Sequence, residues 1–220
     1  MKVNIKGTII RNEYKKMYDY FGIEATCPND VVSILEEAKG EPVDVYINSG
    51  GGEIFSATEI HAALRQYGNI RIHVVGMAAS AASIIMCAGE CDISPTSMVM
   101  IHNVQSWAEG DYNAMNHESQ VLQTATKAMA AAYTMKTGKP EKEFLKLMNE
   151  EHWFTAKEAV DIGLCDRIAA APQDNLVNAW CTMLTPQQMN EYRNAISVAK
   201  AKLQLLEVRY HENAVYNQTQ

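Results

Sequence analysis

The sequence predicts an α/β domain in which strand–helix–strand units form a parallel sheet, followed by a linker and a helical tail. Short alternating or apolar runs that suit strands recur between stretches with helical spacing. Glycines stand just past three of the helical stretches, at Gly40, Gly68 and Gly163. Strands that alternate with helices in this way indicate βαβ units, because parallel neighbours need a crossover connection.

The first half of the chain alternates regularly between the two element types. We predict strands at VNIKGTII, at Val43–Asn48 (VDVYIN) and at IRIHVV. Helices are predicted at NDVVSILEEAKG, with Asn29 or Asp30 as N-cap, at IFSATEIHAALRQYG and at AASIIMCAGE. The small-residue stretches SGGGE and GMAAS connect the later strands to their helices and are predicted to be turns.

The second half begins with strand material in CDISPTSMVMIHN, around Pro95. A long Ala- and Met-rich helix follows from about 113 to 136, and a further helix covers EKEFLKLMNE. After the short extended HWF, Thr155 and Glu158 have capping-box spacing at the start of a helix. LCDRI supplies a last short strand, and the domain is predicted to span 1–170.

The remaining residues, 171–220, are predicted to form a linker and a C-terminal helical extension. AAAPQDNL has linker composition, and TPQQ offers Thr185 as N-cap with Pro186 in the first helical position. Apolar residues then recur at spacings of three and four: Met189, Tyr192, Ile196, Ala199, Leu203 and Leu206. This seam suits either a coiled coil or partner helix, or a helix that folds back onto its own domain.

Composition excludes several classes of protein. The net charge of −7 and the absence of a basic run argue against nucleic-acid binding. The N-terminus lacks a signal-peptide core, and the most apolar stretch carries Arg71 and His73, so we expect neither secretion nor a membrane span but a cytoplasmic protein. Cys87 and Cys91 lie four residues apart, yet no second ligand pair is near, so we expect free thiols, no metal and no cofactor.

Two strand-to-helix turns, INSGGGE and VVGMAASAA, are the first candidates for a site. In a parallel sheet both lie at the carboxyl ends of strands, where ligands bind. Unpaired amides at a helix start favour an anionic group such as a phosphate or an oxyanion. The spacing of SGGGE fits neither phosphate-binding motif, and adjacent glycines instead let a substrate approach the backbone closely.

Either serine of GMAASAAS could be a nucleophile, a helix cap or a packing residue. A nucleophile needs a base within hydrogen-bond reach and an acceptor that orients the base. Six histidines are present, at 61, 73, 102, 117, 152 and 211. His102 closes a predicted strand and starts a loop, which favours it modestly over the others as that base.

Four blocks taken together resemble the ClpP-type serine peptidases. In order they are YINSGGG before a helix, GMAAS followed by CAG, SMVMIHN, and FTAKEAVDIGLCD. The resemblance covers roughly 3–168 and implies the fold shared by ClpP and crotonases, with repeated ββα units around a parallel sheet. It further implies that Ser80 is the nucleophile, that His102 is the base, and that the backbone N–H groups of Gly52 and Ala81 form the oxyanion hole. Ser83, about one turn further on, is then structural.

The third triad member follows from the same resemblance. Aligning on Ala156, Glu158 and Val160 puts Glu151 at the family's acidic position, with the adjacent Glu150 as the alternative. Both glutamates could also be solvated charges at a helix end.

The resemblance is greatest to phage and prophage head-maturation (prohead) proteases, through EEHWFTAKEAVDIGLCD and the terminal AKAKLQLLE. It implies protein substrates such as scaffold or capsid protein, and a homo-oligomeric ring in which the helix near 113–136 mediates stacking. Because the chain begins almost at its first strand, an AAA+ unfoldase partner is not expected. The alternatives are an ATP-dependent proteolytic subunit, a crotonase-type acyl-CoA enzyme and an assembly protein with a relic site.

Overall fold

A computed structural model describes residues 1–170 of the chain. The predicted linker, helical tail and apolar seam at 171–220 lie outside the described residues. The strands are β1 (Lys2–Ile9), β2 (Ala25–Thr26), β3 (Val43–Gly52), β4 (Ile70–Ala79), β5 (Glu90–Ile93), β6 (Met98–Ile101), β7 (His152–Thr155) and β8 (Arg167–Ile168). The helices are α1 (Lys15–Tyr20), α2 (Pro28–Ala38), α3 (Ile54–Tyr67), α4 (Ala81–Ile85), α5 (Tyr112–Thr137), α6 (Glu141–Asn149) and α7 (Ala156–Asp161).

The predicted α/β class with a parallel sheet is confirmed. The main path of the sheet runs β2-β1-β3-β4-β5-β8, and every neighbouring pair along it is parallel. Strand β4 pairs with two strands on the same side of the path: Arg71–Val74 with β5, and Met77–Ala79 with β6. Strand β6 in turn pairs antiparallel with β7. This fork in β4 brings the carboxyl ends of β3, β4 and β6 together.

The core includes the inward side chains of the central strands and the buried faces of α2 and α3. Inward residues of the central strands alternate with exposed or half-buried ones, as at Val43, Val45 and Ile47 of β3. Ile60 and Leu64 of α3 are fully buried in the same cluster. Burying each such side chain stabilises the fold by about 1.5–3 kcal/mol. The periodicity read from the sequence therefore identifies the buried face correctly.

Two of the predicted turns are wrong, because β3 and β4 extend further than their apolar runs. Strand β3 continues through the glycines to Gly52, which still pairs with Ile9 of β1. Strand β4 continues through Gly76 to Ala79. Both extensions lie beyond a register shift in the strand pairing, where the neighbouring strands contain small residues. The helix predicted after them is shorter than expected, since α4 ends at Ile85 and passes into a 3₁₀ turn over Met86–Ala88.

The segment between β1 and α2 was not foreseen. It contains a 3₁₀ turn at Asn12–Tyr14, then α1 and the two-residue strand β2. Helix α2 starts two or three residues earlier than predicted, because its N-cap is Cys27 and not Asn29 or Asp30. Asp30 still contributes to that helix end, because its carboxylate accepts a hydrogen bond from the Cys27 N–H at 3.0 Å.

Several predicted elements of the second half are confirmed. Helix α5 spans 26 residues, α6 covers the predicted segment, and the HWF stretch forms β7. The capping box at the start of α7 is present, with the Thr155 hydroxyl accepting from the Glu158 N–H. Gly163 follows that helix with a positive φ of 90°, the conformation for which glycine is suited.

Cys87 and Cys91 lie in different elements, with Cys87 in the 3₁₀ turn that follows α4. Cys91 lies in strand β5, where its Sγ is 3.8 Å from the buried Sγ of Cys165. Burial raises the pKa of the Cys87 thiol to about 12, so this group stays protonated at neutral pH. Across 1–170 no group of three or more His, Cys, Asp and Glu side chains could hold a metal ion. Nor does any helix in that range have the length and apolar character needed to cross a membrane.

Candidate active site

Ser80 stands at the junction of β4 and α4 in a backbone conformation that L-residues rarely adopt. Its φ is 54° and its ψ is −127°. Such a conformation costs about 1–3 kcal/mol and persists only where the surroundings enforce it. Two hydrogen bonds hold it here: the Ser80 N–H donates to Met100 O at 2.9 Å, and the Ser83 N–H donates to Ser80 O at 3.0 Å.

His102 directly follows β6 and lies beside that serine. The β4–β6 register pairs Ala79 with Met100, so the two strands end together. Ser80 Oγ and His102 Nε2 are 2.6 Å apart, which is hydrogen-bond distance. The structure therefore brings together the two side chains that the sequence predicts as nucleophile and base, in the geometry that proton transfer from the hydroxyl requires.

The two predicted oxyanion donors, Gly52 and Ala81, line the same cavity of about 480 Å³ as Ser80 and His102. Glycine is required at this edge of the sheet. A Cβ on Gly52 would come within 2.2 Å of Ile9 O, and its φ is +149°. A Cβ on the preceding Gly51 would come within 2.7 Å of the Ser80 Cβ. Strand β3 can therefore approach Ser80 this closely only because both positions are glycine, which has no side chain.

Ser49 is a supporting residue that the sequence analysis missed. Its buried hydroxyl donates to Gly7 O at 2.6 Å and accepts from the Gly51 N–H at 3.1 Å. These bonds tie the glycine segment of β3 to β1 at the point where the ladder shifts register. The only signal for this role in the sequence is that a small polar residue stands directly before the glycines.

Glu151 is not hydrogen-bonded to His102. Its side chain is exposed, and the buried Nδ1 of His102 has no hydrogen-bond partner among residues 1–170. The backbone nevertheless places it across from the histidine: β6 and β7 pair Ile101 with His152, so the next pair in register is His102 with Glu151. Glu151 also has a positive φ of 49°. Glu150, likewise exposed, lines a separate cavity with His152 and Glu158, away from Ser80.

Ser83 faces the core, as the sequence predicts. Its side chain is fully buried, and its hydroxyl donates to Ser80 O at 2.6 Å. The Ser83 oxygen lies 2.7 Å from the hydroxyl of Tyr133 on α5. Burial raises the pKa of that tyrosine, so its hydroxyl remains a donor, and it can donate to Ser83 while Ser83 donates to Ser80 O. Ser83 thereby supports the nucleophile's own backbone.

The other described histidines make contacts that do not involve Ser80. His73 Nδ1 lies 2.8 Å from Asp92 Oδ1 on the polar face of the sheet. His61 is buried in α3, where burial and the nearby Arg65 charge lower its pKa. His117 is exposed on α5, and the ring of His152 packs against Phe154. His211 lies outside the described residues.

Helix α5 forms one wall of the cavity, which the sequence analysis did not foresee. Its contribution is mainly apolar, with one acidic residue at the N-terminal end: Glu118, Val121, Leu122, Ala125 and Met129. Arg11 and the exposed Phe55 also line the cavity. Glu53 also lines the cavity, but its carboxylate caps α3 by accepting from the N–H groups of Phe55 and Ser56. A cleft of this size and lining suits an extended peptide with apolar side chains.

A larger cavity, of about 620 Å³, is lined in part by the segment that follows His102. It shares Val104, Ser106, Glu118 and Leu122 with the first cavity but does not include Ser80 or His102. The smaller cavity is therefore the candidate active site.

Comparison with known proteins finds similarity to Clp proteases. The family model described as Clp protease matches residues 21–172. An ATP-dependent Clp protease proteolytic subunit of Pleurastrum terricola is 30% identical over 64% of this chain and 76% of the relative. The ATP-dependent Clp protease proteolytic subunit 1 of Salinibacter ruber is 29% identical, over 60% of this chain and 58% of its own length. The corresponding subunit of Porphyromonas gingivalis is 28% identical, over 59% of this chain and 60% of its own length.

Replacing Ser83 tests its structural role. Ser83→Ala leaves the Tyr133 hydroxyl buried without its partner, so we expect the free energy of unfolding to fall by about 1–3 kcal/mol. Urea denaturation at fixed protein concentration measures the change. The double variant Ser83→Ala/Tyr133→Phe should lose less than the sum of the single changes, since neither side leaves a donor unpaired. Additive losses would contradict the proposed hydrogen bond.

Proposed function

The chain belongs to the Clp protease family, whose members are serine-type peptidases, and from that premise we propose that it cleaves peptide bonds through Ser80 and His102. The observation that carries the proposal is the 2.6 Å contact between Ser80 Oγ and His102 Nε2 inside a peptide-sized cleft. His102 accepts the hydroxyl proton as Ser80 attacks the carbonyl carbon, and returns it to the leaving amine. Water then hydrolyses the acyl-enzyme by the same route.

The negative charge of the tetrahedral intermediate needs donors beside the nucleophile. We assign this role to the backbone N–H groups of Gly52 and Ala81, which line the cleft with Ser80. Losing one such donor typically lowers turnover by ~10²–10³-fold. The strained backbone of Ser80 supports a catalytic role for this junction, because such strain is concentrated at active sites.

We assign the third triad role to Glu151. The antiparallel register that sets Glu151 opposite His102 supports this role, and so does the unpaired, buried Nδ1 of His102. Engagement requires the Glu151 side chain to turn from solvent toward that nitrogen. A carboxylate there would hold the histidine in the tautomer that leaves Nε2 free to accept a proton, and would stabilise the imidazolium.

For the biological role we propose head maturation in a tailed phage or prophage, with scaffold or capsid protein as substrate. The resemblance of EEHWFTAKEAVDIGLCD to that group of proteases supports it. We further propose a homo-oligomeric ring, supported by the exposed Tyr112, Met115 and Val121 on the N-terminal half of α5. The names of the relatives favour a second candidate, the proteolytic subunit of an ATP-dependent protease.

Labelling with a fluorophosphonate tests the nucleophile and base. We expect the adduct at Ser80, mapped by peptide mass spectrometry, with a labelling rate at least ~10²-fold lower in His102→Ala because the general base is gone. His117→Ala, which removes an exposed histidine of α5, should label at the original rate. An adduct at Ser83, or a rate in His102→Ala equal to that of the control, would overturn the assignment.

Substitution at the two adjacent glutamates tests the third member. We expect Glu151→Gln to lower kcat for peptide hydrolysis by about 10²- to 10⁴-fold, since the imidazolium loses its carboxylate partner. Glu151→Asp should recover part of the loss, and Glu150→Gln should retain the original kcat. The proposal fails if Glu150→Gln shows the larger decrease, or if neither variant shows one.

The choice between the two roles rests on the need for ATP. If the protein is a maturation protease, it should cleave scaffold protein in phage proheads without ATP or an unfoldase. The scaffold protein would not have to be unfolded before cleavage. Gel electrophoresis of the prohead proteins reads out the cleavage, with the Ser80→Ala variant as control. Degradation of a stably folded substrate only with ATP and a bound AAA+ unfoldase would instead support the second candidate.

A further inference from the structure

We infer that Glu118 selects substrates with a lysine or arginine three residues from the apolar side chain that packs on Ala125 of the cleft. This inference rests on the proposed function, because it concerns the cleft that contains Ser80. It adds a charge requirement to a cleft whose α5 wall is otherwise apolar.

The carboxylate of Glu118 is available to a ligand. The residue is half-buried on α5 and lines the cleft together with Ser80 and His102. Within residues 1–170, its side chain makes no hydrogen bond and no ion pair with another residue. It is also the only acidic residue of α5 itself, so no neighbouring carboxylate on that helix can replace it.

The other charged groups of the cleft are already engaged. Glu53 accepts three hydrogen bonds at the start of α3, two from N–H groups and one from the Ser56 hydroxyl. Arg11, which follows β1 and also lines the cleft, lies 3.9 Å from Glu13, and this carboxylate offsets its charge. A cationic side chain entering along α5 therefore meets Glu118 as its unpaired partner.

The position of Glu118 along the helix sets the distance to the selected residue. Ala125 and Met129 form the apolar end of the α5 wall, and Glu118 lies seven residues before Ala125. Seven residues of α-helix rise by about 10 Å. An extended peptide advances by about 3.3 Å per residue, so three residues span that length. A substrate whose apolar side chain packs on Ala125 thus presents its third neighbour to Glu118.

Binding to the Ser80→Ala variant tests the inference without depending on catalysis. The probes are fluorescent decapeptides with a central leucine and a single lysine moved through each other position, with glutamine at the same position as reference. Fluorescence anisotropy gives each Kd. We expect lysine at one position three residues from the leucine to bind about five-fold tighter than glutamine, a ratio typical of one solvent-accessible ion pair.

Changing the charge of Glu118 should change that preference directly. In the same background, Glu118→Gln should abolish the lysine preference, and Glu118→Lys should replace it with a preference for glutamate at that position. Glu109→Gln, which removes an exposed carboxylate outside the cleft, should leave the preference unchanged. Equal lysine preference in Glu118→Gln, or no preference at any position, overturns the inference.

Cleavage of the same peptides by the unmodified protein separates this inference from the proposed function. If the preferred lysine peptide is also cut with the higher kcat/KM, both stand. If the Ser80→Ala variant binds with the predicted charge preference while the unmodified protein cuts none of the peptides, Glu118 retains its role and the proposed peptidase chemistry fails. If cleavage occurs without a charge preference, only the role of Glu118 fails.

Discussion

The candidate site depends on the fork in strand β4. The first part of the strand pairs with β5 and the last part with β6, so a single strand joins the core of the sheet to the element that carries His102. The Ser80 N–H donates to Met100 O of β6 at 2.9 Å, so this hydrogen bond between the two strands belongs to the candidate active site. Because the ladder fixes the backbone on both sides, the 2.6 Å contact between Ser80 and His102 follows from sheet register and needs no flexible loop to close.

Close packing at the other strand edge comes from residues without bulk. Gly51 and Gly52 of β3 leave room for the Ser80 side chain and for the backbone of β1, and either added methyl group would overlap atoms there. Gly76 of β4 has the same role against Asn48, whose Oδ1 would lie 2.3 Å from an added Cβ. The small residues in these stretches therefore allow β1, β3 and β4 to approach each other closely near Ser80.

Much of this arrangement can be predicted from the sequence, and the exceptions have physical causes. Period-two and helical patterns identify the buried faces of β3 and α3, because burial repeats with the geometry of each element. The continuation of β3 through Gly52 is missed, since glycine lowers strand propensity while the ladder with β1 still holds it. The pairing of Ser83 with Tyr133 joins residues 50 positions apart, and local patterns contain no information about such contacts. For the same reason the apolar wall from α5 is visible only in three dimensions. The orientation of the Glu151 side chain, which depends on solvent and on the histidine opposite, is likewise not encoded in spacing.

The hydrogen bonds that run from Tyr133 through Ser83 to Ser80 O have a mechanical consequence. They connect the C-terminal part of a 26-residue helix to the Ser80 carbonyl through two contacts of 2.7 and 2.6 Å. The N-terminal half of that helix is exposed, whereas Tyr133 is fully buried. The helix therefore has a largely exposed N-terminal half and a buried C-terminal part that is hydrogen-bonded to the Ser80 segment through Ser83. A displacement of α5 near Tyr133 would therefore move the carbonyl of Ser80, whose backbone conformation is strained.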